Sequence, residues 1–571
     1  MAGLNLRKAP AIIILGQASL ATAQRLQQLY PEASIHGLNG RVAGADSGYE
    51  SFGSTLRELY LQDTPIIALC AAGIVIRSLA SVLSDKDVEP PVLVVAEDGS
   101  AVVPLLGGLG GVNVMAREIG AALSVAAAIT TSGELRFGTC LLNPPVGYAL
   151  ADLEQGKRFV SDLLAGQSVR IEGDAPWLAQ AQLPADAAAQ RTIHVGCEAR
   201  PASRDELLIH PRSVLVAVSA ESAESAELAE HVRAALREAN IAEPALACLL
   251  ASDQHMALPG LHQAAQQLGV ALRFATPAVS LAEMVEQSVP GARLSEHSGL
   301  LVAVASAPID PAQVGRGRGR LAVIGLGPGA AELMVPAVKR ELSLAEDVLG
   351  YETYVRMAGP FRPDQVLHNT DNREEMQRAR HAFELAAQGR SVVVVSSGDP
   401  GVFAMAAAVL EALHESTDPA WHQVDLQILP GVSASLATAA QAGAPLGHDF
   451  CVMSLSDNLK PWSIIETRLD LAAQADLVLA FYNPISKARP WQLGVALDVV
   501  RRHRSGATPV VLGRDIGRPG QTLRVVTLAE LLPEMVDMRT MVLVGSSTTC
   551  TLPRADGGTW VYTPRWYPAA N

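Results

Sequence analysis

The sequence predicts a multi-domain α/β protein, and three patterns predict it. Short apolar, β-branched runs alternate with amphipathic helical stretches through almost all of the 571 residues. Turns rich in glycine, proline and serine follow directly on several of those runs, as turns at strand ends do. The composition, 49% apolar against 18% charged, supplies core for about three or four domains of ordinary size.

The first block, 1–150, opens on AIIILG, a run too short to cross a membrane. The amphipathic GQASLATAQRLQQLY behind it makes this a strand and helix rather than a secretion signal. Strands follow at PIIALC and VLVVAED, with helices over 48–62 and NVMAREIGAAL. Residues 151–205 have a mixed pattern and read as a connecting region. A second block, 206–308, begins its strands with VLVAVSA at Val214, continues with a helix over 221–238, and closes on LLVAVAS. Residues 309–320 carry GRGRGR, a Gly/Arg linker without core-forming side chains. The last block falls into two halves, 321–440 and 441–571. Its strands are LAVI, VVVVS and LQIL, then FCVMSL, DLVLAFY, PVVLG and MVLVG.

A formal charge of −14 argues against nucleic acid or an anionic membrane as partner. The six cysteines are scattered, without a CxxC pair, and read as buried small hydrophobes of a cytoplasmic protein.

Three turns point to a ligand. Gly325-Leu326-Gly327-Pro328-Gly329, Ser397-Gly398-Asp399-Pro400 and Pro430-Gly431-Val432-Ser433-Ala434 each follow an apolar run. Turns at the carboxyl ends of strands are where open α/β sheets bind ligands, so three together imply one cleft. GLGPGA fits a dinucleotide loop only with Pro328 inside it, where an N–H is wanted, and with Asp347 as ribose partner. That reading is a nicotinamide-dependent oxidoreductase. The other reading is S-adenosylmethionine, a sulfonium with an adenine edge, approached closely by backbone at Gly327, Gly398 and Gly431. Asp399 adds an acceptor for a ribose hydroxyl or an amino group.

Residues 321–560 resemble the tetrapyrrole (corrin/porphyrin) methylases. The resemblance rests on GLGPG, SSGDPGVFAMA, LPGVSA and VGSSTT, and on HDFCVMSLSDNLKPW (448–462), LAFYNPISKARPWQL (479–493) and GRDIGRPGQ (513–521). The longer segments are similar to the members that methylate C-17 of precorrin-3B with ring contraction to precorrin-4. The resemblance implies a two-domain methylase fold with S-adenosylmethionine in the interdomain cleft, preceded by two smaller α/β domains, and a homodimer. It also implies cofactor contacts at Gly327, Pro328, Ser397, Gly398, Asp399, Val402, Phe403, Ser433, Ala434, Tyr482 and Thr540. Methyl transfer is an in-line displacement that asks mainly for alignment, and no metal-ligand cluster is expected. Contraction requires loss of a proton from a ring hydroxyl. Asp457, Lys460, Tyr482 and Asn483 are the candidates, with Asp457 equally suited to capping the following helix. Substrate carboxylates call for Lys487, Arg489, Arg514 and Arg518. Glu375 and Arg378 read as a solvated helix face or an interdomain pair, and His448 as structural. Precorrin-3B and its cobalt-containing counterpart both remain open as substrate.

Residues 10–140 resemble the amino-terminal part of the cobalamin-pathway family that opens a ring-A lactone, through CAAGIVIRSLASVLSDKDVEPPVLVVAEDGS, GGLGGVNVMAREIGAAL and ITTSGE. Residues 213–306 resemble its carboxyl-terminal domain. The chain departs from that family at Gly108, where a histidine is usual, at Thr-Thr-Ser-Gly-Glu in place of Thr-Thr-Ala-x-Asp, and at His255 in place of a lysine. The residues to test for hydrolysis are Arg77, Lys86, Asn113, Thr130 and Thr131. The other reading is a region that binds corrinoid intermediates without hydrolysing them.

Overall fold

The computed structural model describes residues 9–83, 89–362, 364–371, 374–486 and 489–567. The chain divides into two compact units. One comprises Met1–Gly319 with Pro360–Gln365 and Ala387–Gly389; the other comprises Arg320–Gly359, Val366–Ala386 and Arg390–Asn571.

Among the described residues, the first unit holds three sheets. Ala11–Ile14, Ile66–Leu69 and Val92–Val95 are buried at every position, as parallel strands covered on both faces must be. They lie inside a six-stranded sheet whose members are parallel except for the last, Val102–Leu106. A five-stranded sheet is built around Val214–Val218, which pairs with Leu246–Ser252 on one side and Leu300–Val304 on the other. The helix expected over 221–238 is two helices, Ala220–Ala223 and Leu228–Glu238. Ser219 caps the first, and the Ser225 hydroxyl accepts from the Glu227 amide in the gap.

Residues 151–205 are not a loose connection. Val169–Glu172 and Arg191–Val195 join Glu206–Pro211 and Tyr148–Leu150 in a four-stranded sheet. It has its own core, centred on Phe137, Phe159, Leu163 and Ile193. The sequence signal was diluted because these strands are short and only partly apolar. The glycine–arginine stretch also differs from a free linker. Arg316 exchanges two backbone hydrogen bonds with Phe274, and its guanidinium lies 2.9 Å from Asp253.

Among the described residues, the second unit holds two five-stranded sheets and a small three-stranded one. The first is wholly parallel, in the order Val366–Thr370, Asp347–Tyr351, Ser391–Ser396, Arg320–Gly325, Asp425–Leu429. Its central valines, Val392 to Val395, are fully or almost fully buried, worth about 1.5–3 kcal/mol each. The second sheet is mixed, in the order Phe450–Ser454, Val478–Tyr482, Thr540–Val544, Pro509–Arg514, Thr522–Thr527. No helix among the described residues is long and apolar enough to cross a membrane.

Candidate functional site

The three turns meet because their strands are neighbours. Ser391–Ser396, Arg320–Gly325 and Asp425–Leu429 lie side by side and parallel, so their carboxyl ends open together. Gly327 and Gly398 exchange backbone hydrogen bonds of 3.1 and 2.8 Å, both at positive φ. Gly431 is needed for space: a Cβ there would stand 2.1 Å from the Gly398 carbonyl oxygen and 2.6 Å from that of Gly325. Asp399 stitches the second turn to the third. One carboxylate oxygen accepts from the Gly401 amide at 2.8 Å, the other from the Gly431 amide at 3.1 Å. Its first duty is therefore to the loops themselves, which the sequence reading as a ligand acceptor did not anticipate.

Beside these turns is a pocket lined by Val402, Phe403, Ser433, Ser435, Leu436 and Val452. Ser433 caps the helix Ala434–Ala442 with its hydroxyl. Tyr482, at the end of its strand, donates to Ser435 Oγ and accepts from the Ser435 amide, both at 3.1 Å. Phe403 has φ +53, a rare conformation for a bulky residue, yet it is 51% exposed. Its ring meets Tyr482 edge-on at 5.4 Å, and Lys460 Nζ stands 5.8 Å from its centroid. The site thus gathers apolar and aromatic surface, hydroxyls and one cation beside three closely packed turns.

Comparison with known proteins fits this arrangement. Residues 320–532 match the model of the tetrapyrrole (corrin/porphyrin) methylases. Over 254 residues the chain is 50% identical to a precorrin-3B C(17)-methyltransferase of a Sinorhizobium species, covering 44% of this chain and 99% of that one. The chain belongs to the tetrapyrrole methylases. It is also 48% identical over 257 residues to the cobalamin biosynthesis protein CobIJ of Mycobacterium tuberculosis, covering 44% of this chain and 49% of that one. The solved structure of the methyltransferase CobJ aligns with 50% identity and a TM-score of 0.41, over 43% of this chain and all of that one. Residues 54–134 match the model of the cobalamin synthesis G N-terminal family.

Other expected site residues of the methylase are distributed as follows. Asn483, at φ +49, donates to Ser454 Oγ at 3.0 Å. Arg489 donates to Ser456 Oγ and stands 4.0 Å from Asp457. Asp457 does not cap a helix; the next helix, Trp462–Gln474, starts at Pro461 with no side-chain cap. Arg514 is already held by Asp537 at 2.8 Å and Asp515 at 3.0 Å. Thr540 is buried and gives its hydroxyl to Asp537 at 2.7 Å. Arg518 donates to the Pro328 carbonyl in the first turn and to Ser397 Oγ in the second. Lys487 and Lys86 lie outside the described residues.

Two expectations are overturned by burial. Arg378 is 3% exposed, not solvated, and donates to Thr370 Oγ1 at 2.6 Å, the Asp371 carbonyl at 2.8 Å and Met405 Sδ at 3.1 Å. Asp347, the ribose partner of the dinucleotide reading, is 1% exposed at the start of its strand and is held by His368 and Arg390. It lies at the end of the sheet opposite the turns, which removes that reading. Ser435 was missed. Its only signal was its place two residues after Ser433 in a capped turn.

In the amino-terminal region the structure brings together Asn113, Thr131 and Glu134. Asn113 Nδ2 donates to Thr131 Oγ1 at 2.9 Å and to the buried Glu134 at 2.7 Å. Arg117 pairs with Glu134 at 2.7 Å. Arg77 and Thr130 are exposed and make no part of this network. Glu134 was not among the residues expected to act there.

Proposed function

We propose that the methylase portion transfers a methyl group from S-adenosylmethionine to C-17 of precorrin-3B, with contraction to precorrin-4, in cobalamin biosynthesis. The observation that carries this reading is the backbone cradle at three adjacent strand ends, where Gly325 and Gly431 leave no room even for a methyl side chain. Such packing fixes one wall of the pocket lined by Val402, Phe403 and Ser433, and the half-exposed Phe403 there suits a large planar partner. The likeness at 50% identity to a precorrin-3B C(17)-methyltransferase supports the choice of acceptor.

Bound S-adenosylmethionine supplies an electrophilic methyl group. Gly327, Gly398 and Gly431 pack the three turns together, and Pro328, Ser397, Val402, Phe403, Ser433 and Ala434 would form the walls that hold the cofactor. Tyr482, held by Ser435, would line the same site. Alignment of the two reactants accounts for much of the rate, as much as ~7–11 kcal/mol in well-oriented systems. Asp457 is the base that receives the ring-hydroxyl proton, with Arg489 beside it to hold its charge. Lys460 takes a substrate carboxylate, and Asn483 keeps Ser454 in place at the same edge. The active form is a homodimer.

The test is incubation of the purified chain with S-adenosylmethionine and either precorrin-3B or its cobalt form, following the gain of one methyl by mass. Methylation of the cobalt form alone rejects the metal-free acceptor. Thermal stabilisation by NAD(H) and not by S-adenosylhomocysteine rejects the methylase reading altogether.

A further inference from the structure

We propose that Arg518 is a positioning residue, a clasp from the second half of the methylase that sets the first two cofactor turns. The inference rests on the methylase reading above. Arg518 Nε donates to the Pro328 carbonyl at 3.0 Å, and its Nη2 donates to Ser397 Oγ at 3.2 Å. These partners lie 190 and 121 residues away, one in each of two different turns. Proline offers no N–H, so the carbonyl is the only backbone polar group Pro328 presents. The clasp runs beside the Gly327–Gly398 backbone pair and adds a charged donor to it.

The arginine is itself held in place. It sits in the turn after Pro509–Arg514, where Asp515 is 5% exposed at φ +51 and Gly517 is at φ +81. Asp515 is gripped by Arg514 at 3.0 Å and by both Nε and Nη2 of Arg539. The turn packs closely on the first cofactor loop. A Cβ on Gly517 would stand 2.9 Å from Pro328 Cγ, and a Cβ on Gly329 2.7 Å from Arg518 Cγ. The Nε–Nη2 edge of Arg518 is engaged by the two turns, so its charge acts on them directly.

The test compares wild type with Arg518→Met, Arg518→Lys and Ser397→Ala. S-adenosylhomocysteine binding is measured by calorimetry, and KM is measured for each substrate with the other saturating. Arg518→Met is expected to weaken S-adenosylhomocysteine about tenfold or more, the scale of a lost hydrogen bond to a charged group. The KM for the tetrapyrrole stays unchanged, and Arg518→Lys recovers part of the loss. Combining Ser397→Ala with Arg518→Met costs less than the two losses together, because they share one bond. If Arg518→Met does not fold, Arg518→Lys and Ser397→Ala carry the comparison. A raised tetrapyrrole KM with unchanged S-adenosylhomocysteine affinity overturns the clasp in favour of a substrate contact. Unchanged values for both overturn it outright. Wild type that binds no S-adenosylhomocysteine overturns the cofactor reading itself, a different failure from either.

Discussion

Replacing Gly431 by alanine tests the cradle directly. The new Cβ would lie 2.1 Å from the Gly398 carbonyl oxygen and 2.6 Å from that of Gly325, whereas real Cβ atoms essentially never come under 3.0 Å. Both obstacles are backbone, so the third turn must retreat by about 0.9 Å, the shortfall between 3.0 and 2.1 Å. Overpacking of this kind costs about 1–3 kcal/mol. At about 2–4 °C per kcal/mol for a domain of ~150–250 residues, the melting temperature falls by a few degrees to about 12 °C. Turnover suffers more, because a misplacement of ~1 Å costs on the order of 100-fold in rate, and binding weakens as the shift pulls the Gly431 amide from Asp399. The assay is calorimetric titration with S-adenosylhomocysteine alongside thermal unfolding. Gly494→Ala serves as control: it lies in the helix Gln492–Arg501, and its Cβ meets only Pro533 Cγ at 3.9 Å. That change is expected to stabilise by up to ~1 kcal/mol and leave binding alone. Wild-type affinity in Gly431→Ala would refute the argument that three backbones define the site.

Other outcomes follow from the same structure. Tyr482→Phe strands the Ser435 amide, which the tyrosine hydroxyl now satisfies, and should cost about 1–3 kcal/mol in denaturant unfolding. His36 and His210 are held neutral, their pKa values lowered first by burial, with Asp46 and the Gly196 carbonyl respectively pulling the other way. The unfolded chain then binds more protons below its ordinary histidine pKa. The first unit should be steady above about pH 6.5 and lose up to ~1.4 kcal/mol per pH unit per histidine below it. Stability that is flat from pH 7 to 5 in urea titrations refutes this. Burial pushes the thiols of Cys70 and Cys140 up to about 11, with Glu97 and Glu134 adding to it, and that of Cys248 up to about 12. Only the exposed Cys550 should react promptly with a disulfide reagent in the native protein, with Cys70 and Cys248 appearing on unfolding.

The α/β class, the strands and the three turns were legible in the sequence because each is a local pattern. A valine run such as Val392–Val395 reads the same way wherever it is buried, and glycine after a strand marks close approach. Residues whose contacts are distant in sequence were not legible. Arg378 looks like a solvated residue on an amphipathic helix, and only packing against Thr370 and Met405 shows it to be buried. Asp457 has the pattern of a cap, but no helix begins within its reach. The four-stranded sheet over 148–211 escaped notice because its strands are short and half-polar.

The sequence by itself determined that the last 250 or so residues, by the measure of its turns and strands, carry three glycine-rich turns at the ends of buried strands. It carried that much because glycine, proline and strand propensity act over a few residues. Only the tertiary structure decided that Gly325, Gly398 and Gly431 pack backbone on backbone, that Asp399 serves the loops, and that Arg518 reaches Pro328 and Ser397. Those are contacts across sheets and across 190 residues, set by strand order and the closure of two halves, which no local pattern encodes.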